Sequence, residues 1–80
     1  MNKVVIVTGG SRGIGAATSK LLANKGYAVC VNFIHNETRA EDLVNEIREQ
    51  GGTAISVRAD VSVESDVKSL FEIARNKLGP

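Results

Sequence analysis

The chain has 80 residues, of which 42% are hydrophobic and 24% charged, so it is long enough for one compact soluble unit. A formal net charge of +1 argues against a nucleic acid or an anionic membrane as the partner. No apolar run approaches the roughly 20 residues that span a bilayer, and the N-terminal run is too short for a secretory leader. The single cysteine excludes an internal disulfide framework and favours the cytoplasm.

Strand-like runs appear at three places in the chain. The first, at residues 3–8, is β-branched and almost uniformly apolar, which is typical of a strand covered on both faces of a parallel sheet. The second and third are predicted at 28–33 and 54–59. Cys30, among valines in the second run, is interpreted as a small core residue.

Amphipathic helical patterns follow each strand. The first helix is predicted to begin at Gly13 or Ile14 and to end by Gly26, with the core-facing residues Ile14, Ala17, Leu21 and Leu22. The second is predicted to end at Gly51 and Gly52, with the core-facing residues Ala40, Leu43, Val44 and Ile47. The third is predicted to have Ser62 as its N-cap and to end at Gly79 and Pro80, with the core-facing residues Val67, Leu70, Phe71, Ala74 and Leu78.

The resulting order is β-α-β-α-β-α. Because the connections are short and crossovers between parallel strands are right-handed, this order predicts a doubly wound α/β fold with a parallel sheet.

The segment TGGSRGIG, residues 8–15, joins the first strand to the first helix. In an open α/β sheet, ligands bind at the carboxyl ends of strands. The helix start presents unpaired backbone N–H groups, glycines allow close approach, and Arg12 adds a cation. The segment therefore predicts a ligand that carries phosphate, with a pyrophosphate at the start of the helix.

Two common phosphate-binding motifs do not fit. Gly10 and Gly15 have the spacing of a P-loop, but Ala16 and Ala17 stand where lysine and a hydroxyl residue are needed. The strict G-x-G-x-x-G fingerprint is also absent. The pattern that fits is T-G-x-x-x-G-I-G.

This pattern resembles that of the short-chain dehydrogenase/reductase family. Asp60-Val61 after the third strand resembles the family's adenine-contacting pair, GYAVCVNF its second strand, and LFEIARNKLGP its fourth helix. The G-x-x-G-x-x-G spacing of the family's extended branch fits less well, because Ala16 occupies the third position. The resemblance covers the whole chain and implies the N-terminal half of a Rossmann-type sheet, similar to bacterial 3-oxoacyl-acyl-carrier-protein reductases.

The cofactor predicted is NADP. Proteins of this type that prefer NAD carry an acid near the end of the second strand, whereas Phe33 stands there and no acid occurs before Glu37. Arg12 suits a 2′-phosphate because a guanidinium can bind it at two points; His35 and Asn36 are secondary candidates. The predicted cofactor-binding residues are Gly9, Ser11, Arg12, Gly13, Ile14, Gly15, His35, Asp60 and Val61.

Several assignments stay open between function and structure. Asn32 is assigned equally to backbone support and to a ribose contact, and Thr8 to a structural role in the loop. Asp60 could also be a turn or cap residue. No metal site is predicted.

The catalytic residues that the resemblance implies are missing. The family uses Ser, Tyr and Lys, with an upstream Asn, but the single tyrosine, Tyr27, has Val31 four residues later. We therefore expect residues 1–80 to be the N-terminal portion of one dinucleotide-binding domain, and no catalytic residue is predicted.

The parent protein implied is an NADP(H)-dependent oxidoreductase, forming a dimer or tetramer, that transfers a hydride between nicotinamide and a small carbonyl or secondary alcohol substrate. The chain alone is expected to bind NADP weakly or not at all and to be inactive. Two alternatives are a non-catalytic dinucleotide-binding module and a half-domain that self-associates through the unpaired first strand.

Overall fold

Three strands and three helices alternate in a computed structural model that describes residues 3–9 and 13–79. In chain order the elements are β1 (Val4–Thr8), α1 (Gly13–Asn24), β2 (Ala28–Phe33), α2 (Glu37–Glu49), β3 (Thr53–Arg58) and α3 (Glu64–Leu78). The predicted β-α-β-α-β-α fold class is confirmed, and the predicted strands differ from the observed ones by at most one residue at each end.

The sheet is parallel and has the order β1-β2-β3. In its register, Thr8 lies beside Asn32, and Asn32 beside Val57, so the three strands end at nearly the same level. Each residue of the central strand β2 is buried, in agreement with a sequence that is apolar except for Asn32. The carboxyl ends of the three strands therefore lie at one end of the sheet, and the loops to the helices begin there.

The two faces of the sheet carry separate cores because side chains alternate along β2. Val29, Val31 and Phe33 pack under α1 and α2. Cys30 points to the opposite face and packs with residues of β3 and α3. Burial raises the pKa of the Cys30 thiol to about 11, so the thiol stays protonated at neutral pH and serves as a core residue, as predicted.

The core-facing side of α1 differs from the predicted one. Ile14 is 87% exposed and Leu21 55% exposed, whereas the buried residues of the helix are Ser19 and Ala23. The small residues allow α1 to lie close to the sheet, and the Ser19 hydroxyl donates to the Gly15 carbonyl oxygen at 2.8 Å, so it is satisfied within the helix. Ile14, Ala17 and Leu21 are therefore left on the outer side, whereas Leu22 packs against the core as predicted.

The ends of α3 give one correction and one confirmation. The N-cap is Val63 and not Ser62, because the Ser62 hydroxyl already donates to the Asp60 carboxylate. At the other end, Gly79 has φ 101°, and its N–H donates to the Arg75 carbonyl oxygen at 2.9 Å. Of the apolar residues predicted to face the core, Leu70 and Ala74 are buried, but Phe71 is exposed. Among the helices of the described residues, none is long and apolar enough to cross a membrane.

Candidate functional site

The loop after β1 requires glycine at two positions for backbone reasons. Gly9 has φ 63° and Gly13 has φ 40°, both in the region that disfavours other residues. A Cβ atom added at either position would meet no atom of the described residues within 4 Å. No described residue therefore crowds the backbone at Gly9 or Gly13, which leaves room for a ligand to approach it.

The helix that follows this loop begins at Gly13, with Ile14 exposed and Gly15 half-buried. No acidic side chain occupies its first turn, so the positive end of the helix dipole is not neutralised by a neighbouring carboxylate. Ser11 and Arg12 lie outside the described residues, and their assignment to the cofactor remains a prediction.

The end of β2 carries no carboxylate. Phe33, which stands at the position of an NAD-selecting acid, is buried in the core under α2. His35 is exposed two residues later, and Asn36 precedes the first residue of α2. At the end of β2 itself, a ligand therefore meets an imidazole and an amide rather than a carboxylate.

Asn32 connects two strands at the same end of the sheet. Its side chain is 2% exposed, and its Nδ2 donates to the carbonyl oxygens of Val57 at 3.3 Å and of Ala59 at 3.0 Å. The Ala59 N–H in turn donates to the Phe33 carbonyl oxygen at 3.0 Å. These bonds favour backbone support over a ribose contact as the role of Asn32, since its amide N–H groups hold the start of the next loop.

Asp60 is fixed in that loop by bonds on both sides. Its N–H donates to Oδ2 of Asp66 at 2.9 Å, and its Oδ1 accepts from the Ser62 hydroxyl at 2.6 Å and the Ser62 N–H at 2.9 Å. The Ser62 hydroxyl and N–H lower the pKa of Asp60, and the nearby His35 acts in the same direction. Asp60 is thus an ionised carboxylate at neutral pH, held beside His35.

A cavity of about 430 Å³ brings several of these residues together. It is lined by Thr8, Gly9, Asn32, Phe33, Ile34, His35, Asn36 and Val61. Of the predicted cofactor-binding residues, Gly9, His35 and Val61 therefore share one cavity, with Asp60 adjacent to it in sequence. Gly13, Ile14 and Gly15 begin α1 and do not line it. Asn32, which was assigned equally to backbone support and to a ribose contact, lines it as well, and so does Phe33, which was not among the predicted cofactor-binding residues.

A larger groove lies elsewhere on the described residues and is more apolar. It measures about 550 Å³ and lies between β1 and α3, lined by Val4, Val5, Ile6, Phe71 and neighbouring residues of α3. It contains neither the glycine loop nor the Asp60 turn. The smaller cavity is therefore the candidate ligand cleft, because loops from all three strands converge on it.

Comparison with known proteins gives consistent matches. The family model described as short chain dehydrogenase matches residues 3–80. The short-chain dehydrogenase/reductase homolog YusS of Bacillus subtilis is 42% identical over 79 residues, which are 99% of this chain and 72% of that protein.

Solved structures agree with the sequence matches. A dehydrogenase/reductase from Sinorhizobium meliloti superposes with a TM-score of 0.93 at 40% identity, over 96% of this chain and 31% of that one. FolM alternative dihydrofolate reductase 1 from Brucella canis, complexed with NADP, has a TM-score of 0.89 at 38% identity, over 99% of this chain and 31% of that one. The chain spans less than a third of the length of these solved relatives. Together with the family match, these similarities show that the chain belongs to the short-chain dehydrogenase family.

Proposed function

We propose that residues 1–80 form the N-terminal, NADP(H)-binding portion of an oxidoreductase that acts on a carbonyl or secondary alcohol. The observation that supports the choice of NADP(H) is the end of β2, where Phe33 is buried and no carboxylate of the described residues lines the cleft. A carboxylate there would accept a bond from a ribose 2′-hydroxyl and repel a 2′-phosphate. The solved relative from Brucella canis, which holds NADP, supports the same choice.

The residues of this chain fit the adenine side of such a cofactor. Gly9 and Gly13 leave open space beside the backbone, where a pyrophosphate can lie against the start of α1. Arg12, beside them in sequence, binds the 2′-phosphate in this proposal, with His35 as a second contact. Asp60 and Val61 contact the adenine, and two hydrogen bonds orient the Asp60 loop: the Asp60 N–H donates to Asp66, and the Ser62 hydroxyl donates to Asp60.

When bound, the cofactor supplies or accepts a hydride at its nicotinamide ring. The described residues bind and orient the opposite end of the cofactor. Tyr27, the single tyrosine, packs against the core under α1 and α2, away from the cleft residues. We therefore propose no catalytic residue in this chain and expect the 80-residue chain to leave NADPH unoxidised.

The first experiment compares two fragments of the cofactor that need only this side of the cleft. Adenosine 2′,5′-bisphosphate and adenosine 5′-monophosphate differ in the 2′-phosphate alone. We expect the bisphosphate to bind at least about tenfold more tightly, measured by chemical-shift titration, because a charge-assisted bond contributes about 1.5–3 kcal/mol. NADPH and NADH, followed by cofactor fluorescence, should rank in the same order.

Two variants make this test specific. Arg12→Ala should remove most of the preference for the 2′-phosphate. Lys25→Ala is the matched control, because it removes a positive charge at the opposite end of α1 and should leave the preference unchanged. Equal binding of both fragments to the unmodified chain would contradict the choice of NADP(H). Steady NADPH oxidation by the 80-residue chain with any carbonyl substrate would contradict the absence of a catalytic residue.

A further inference from the structure

The peptide unit that joins Ala59 to Asp60 is held at both of its polar atoms. Its carbonyl oxygen, which belongs to Ala59, accepts from Nδ2 of Asn32 at 3.0 Å. Its N–H, which belongs to Asp60, donates to Oδ2 of Asp66 at 2.9 Å. Because a peptide unit is planar, bonds to both polar atoms fix the orientation of the whole plane. Two side chains from outside the loop therefore set the direction in which the chain continues after β3.

The register of the sheet places Asn32 for this role. Asn32 lies beside Val57 in β3, and its side chain is on the same face of β2 as that of Cys30, the face that α3 covers. The side chain is 2% exposed, and its NH2 group donates to carbonyl oxygens on either side of Arg58, the last residue of β3. Hydrogen bonds are electrostatically stronger in such a buried setting than at the surface. The carboxamide thus extends the pairing of β2 with β3 past the end of the strand.

Asp66 holds the N–H side of the same peptide. It lies in the first turn of α3 and is half-buried, so its carboxylate links the start of α3 to the loop after β3. Glu64, the other acid in that turn, is exposed and pairs with Lys68 instead. The two acids have similar positions on the helix, but only Asp66 bonds the loop.

The orientation of this peptide matters for the base that the cleft accepts. In the proposed function, on which this inference rests, the Asp60 carboxylate meets the base of the nucleotide. Adenine presents an amino group at position 6, which donates hydrogen bonds, whereas hypoxanthine presents a carbonyl oxygen there. A carboxylate accepts hydrogen bonds only, and the bond weakens steeply when its angle is poor. Asp60 therefore distinguishes the two bases only while its direction is fixed.

We propose that Asn32 and Asp66 are positioning residues that make the cleft selective for adenine over hypoxanthine, by fixing the peptide plane before Asp60. Asn32 acts from β2 and Asp66 from α3, on opposite atoms of one plane, so neither bond replaces the other. Loss of either bond lets the plane rotate and turns the Asp60 carboxylate away from the base.

The test compares adenosine 5′-monophosphate with inosine 5′-monophosphate, which differ in the base alone. The unmodified 80-residue chain should bind the adenosine nucleotide at least about tenfold more tightly in a chemical-shift titration, because a charge-assisted bond is replaced by a repulsive contact. Asp66→Ala should bring the two affinities to within about threefold of each other. Asp66→Asn keeps an oxygen acceptor and should retain most of the selectivity. Glu64→Ala is the matched control, since it removes the other acid of the turn and should leave the selectivity unchanged.

Two further variants separate positioning from a general loss of structure. Asn32→Ala should lower the selectivity as Asp66→Ala does, and the half-buried position of Asp66 keeps the test decisive where the Asn32 variant does not fold. With Asp60→Ala already present, Asp66→Ala should no longer change the ratio of the two affinities. A general loss of structure would instead weaken the binding of both nucleotides. In the chain without a nucleotide, the Asp60 amide should exchange its hydrogen at least about tenfold faster in Asp66→Ala than in the unmodified protein.

Three results would overturn the proposal. They are an unmodified chain that binds the two nucleotides equally or binds neither, a selectivity that Asp66→Ala leaves intact, and an Asp60 amide that is equally protected in both proteins. Neither nucleotide carries a 2′-phosphate, so a failed choice of NADP(H) leaves this comparison unaffected. A preference for adenine that survives Asp66→Ala contradicts the positioning role alone.

Discussion

The two edges of the sheet are constructed differently. At the β3 edge, Nε of Arg48 from α2 donates to the Ala54 carbonyl oxygen at 3.1 Å, and Arg58 places an exposed charge at the end of the strand. At the β1 edge, the strand is uncharged, and Phe71, which lines the groove beside it, is apolar and exposed. A single cation over a strand edge satisfies a backbone group and discourages pairing. Within the described residues, the β3 edge therefore carries charges that discourage strand pairing, whereas the β1 edge carries none.

The largest expected effect on stability concerns two adjacent residues of α3, one of which is buried while the other is exposed beside β1. Leu70 is 2% exposed in the core, whereas Phe71 overhangs the β1 edge. We expect Leu70→Ala to lower the free energy of unfolding by about 2–5 kcal/mol, because it leaves a cavity. Phe71→Ala should lower it by less than about 1 kcal/mol in the monomer. Urea unfolding at low protein concentration measures both, and equal losses would contradict the assignment of Phe71 to an open edge.

An intermediate effect is expected at Gly52, just before the β3 edge. A Cβ atom there would lie 2.7 Å from Cγ2 of Ile47 and 3.1 Å from the Ile47 carbonyl oxygen. We expect Gly52→Ala to cost about 1–3 kcal/mol of stability, as is usual for overpacking. In a double-mutant cycle with Ile47→Ala, the combined loss should be smaller than the sum of the single losses, because the overlapping methyl group is gone. Additive losses would show that the overlap with Ile47 is not the cause.

The smallest effect is expected at Arg48 itself. Arg48→Ala removes the bond to Ala54 and should cost about 0.5–1.5 kcal/mol, measured by urea unfolding. Arg48→Lys keeps the charge but lacks Nε, so it should lose part of the stability and still prevent association at this edge. If only the alanine variant associates as its concentration rises, Arg48 is what protects the β3 edge from pairing. If the alanine variant is as stable as the unmodified protein and does not associate, Arg48 does not protect the β3 edge.

The strands were predictable because their signal is local. Runs such as VVIVT and AVCVNF contain enough β-branched and apolar residues to mark strands within one residue of the observed ends. The face of α1 that packs against the sheet was not predictable in the same way. Both sides of α1 carry apolar residues, and the prediction placed the larger ones, Ile14 and Leu21, inside. Close packing against the sheet instead selected Ser19 and Ala23, which a pattern based on residue size cannot anticipate.

The candidate site was predictable only where its parts are adjacent in sequence. The positive φ angles of Gly9 and Gly13 agree with a loop that needs glycine, while Ser11 and Arg12 stay predictions. The role of Asn32 depends on carbonyl oxygens 25 and 27 residues away, so no local pattern reveals it. Ser62 shows the same limit at short range, because a neighbouring carboxylate takes up the hydroxyl that would otherwise cap α3.

The strand order β1-β2-β3 has a consequence for how the chain acquires its structure during synthesis. Each strand pairs with the one made just before it, about 25 residues earlier, so loop closure stays short at every step. Among the three strands of the described residues, none has to insert between two that are already paired. The nascent chain can therefore add one βα unit after another as it leaves the ribosome, with little risk of a trapped intermediate.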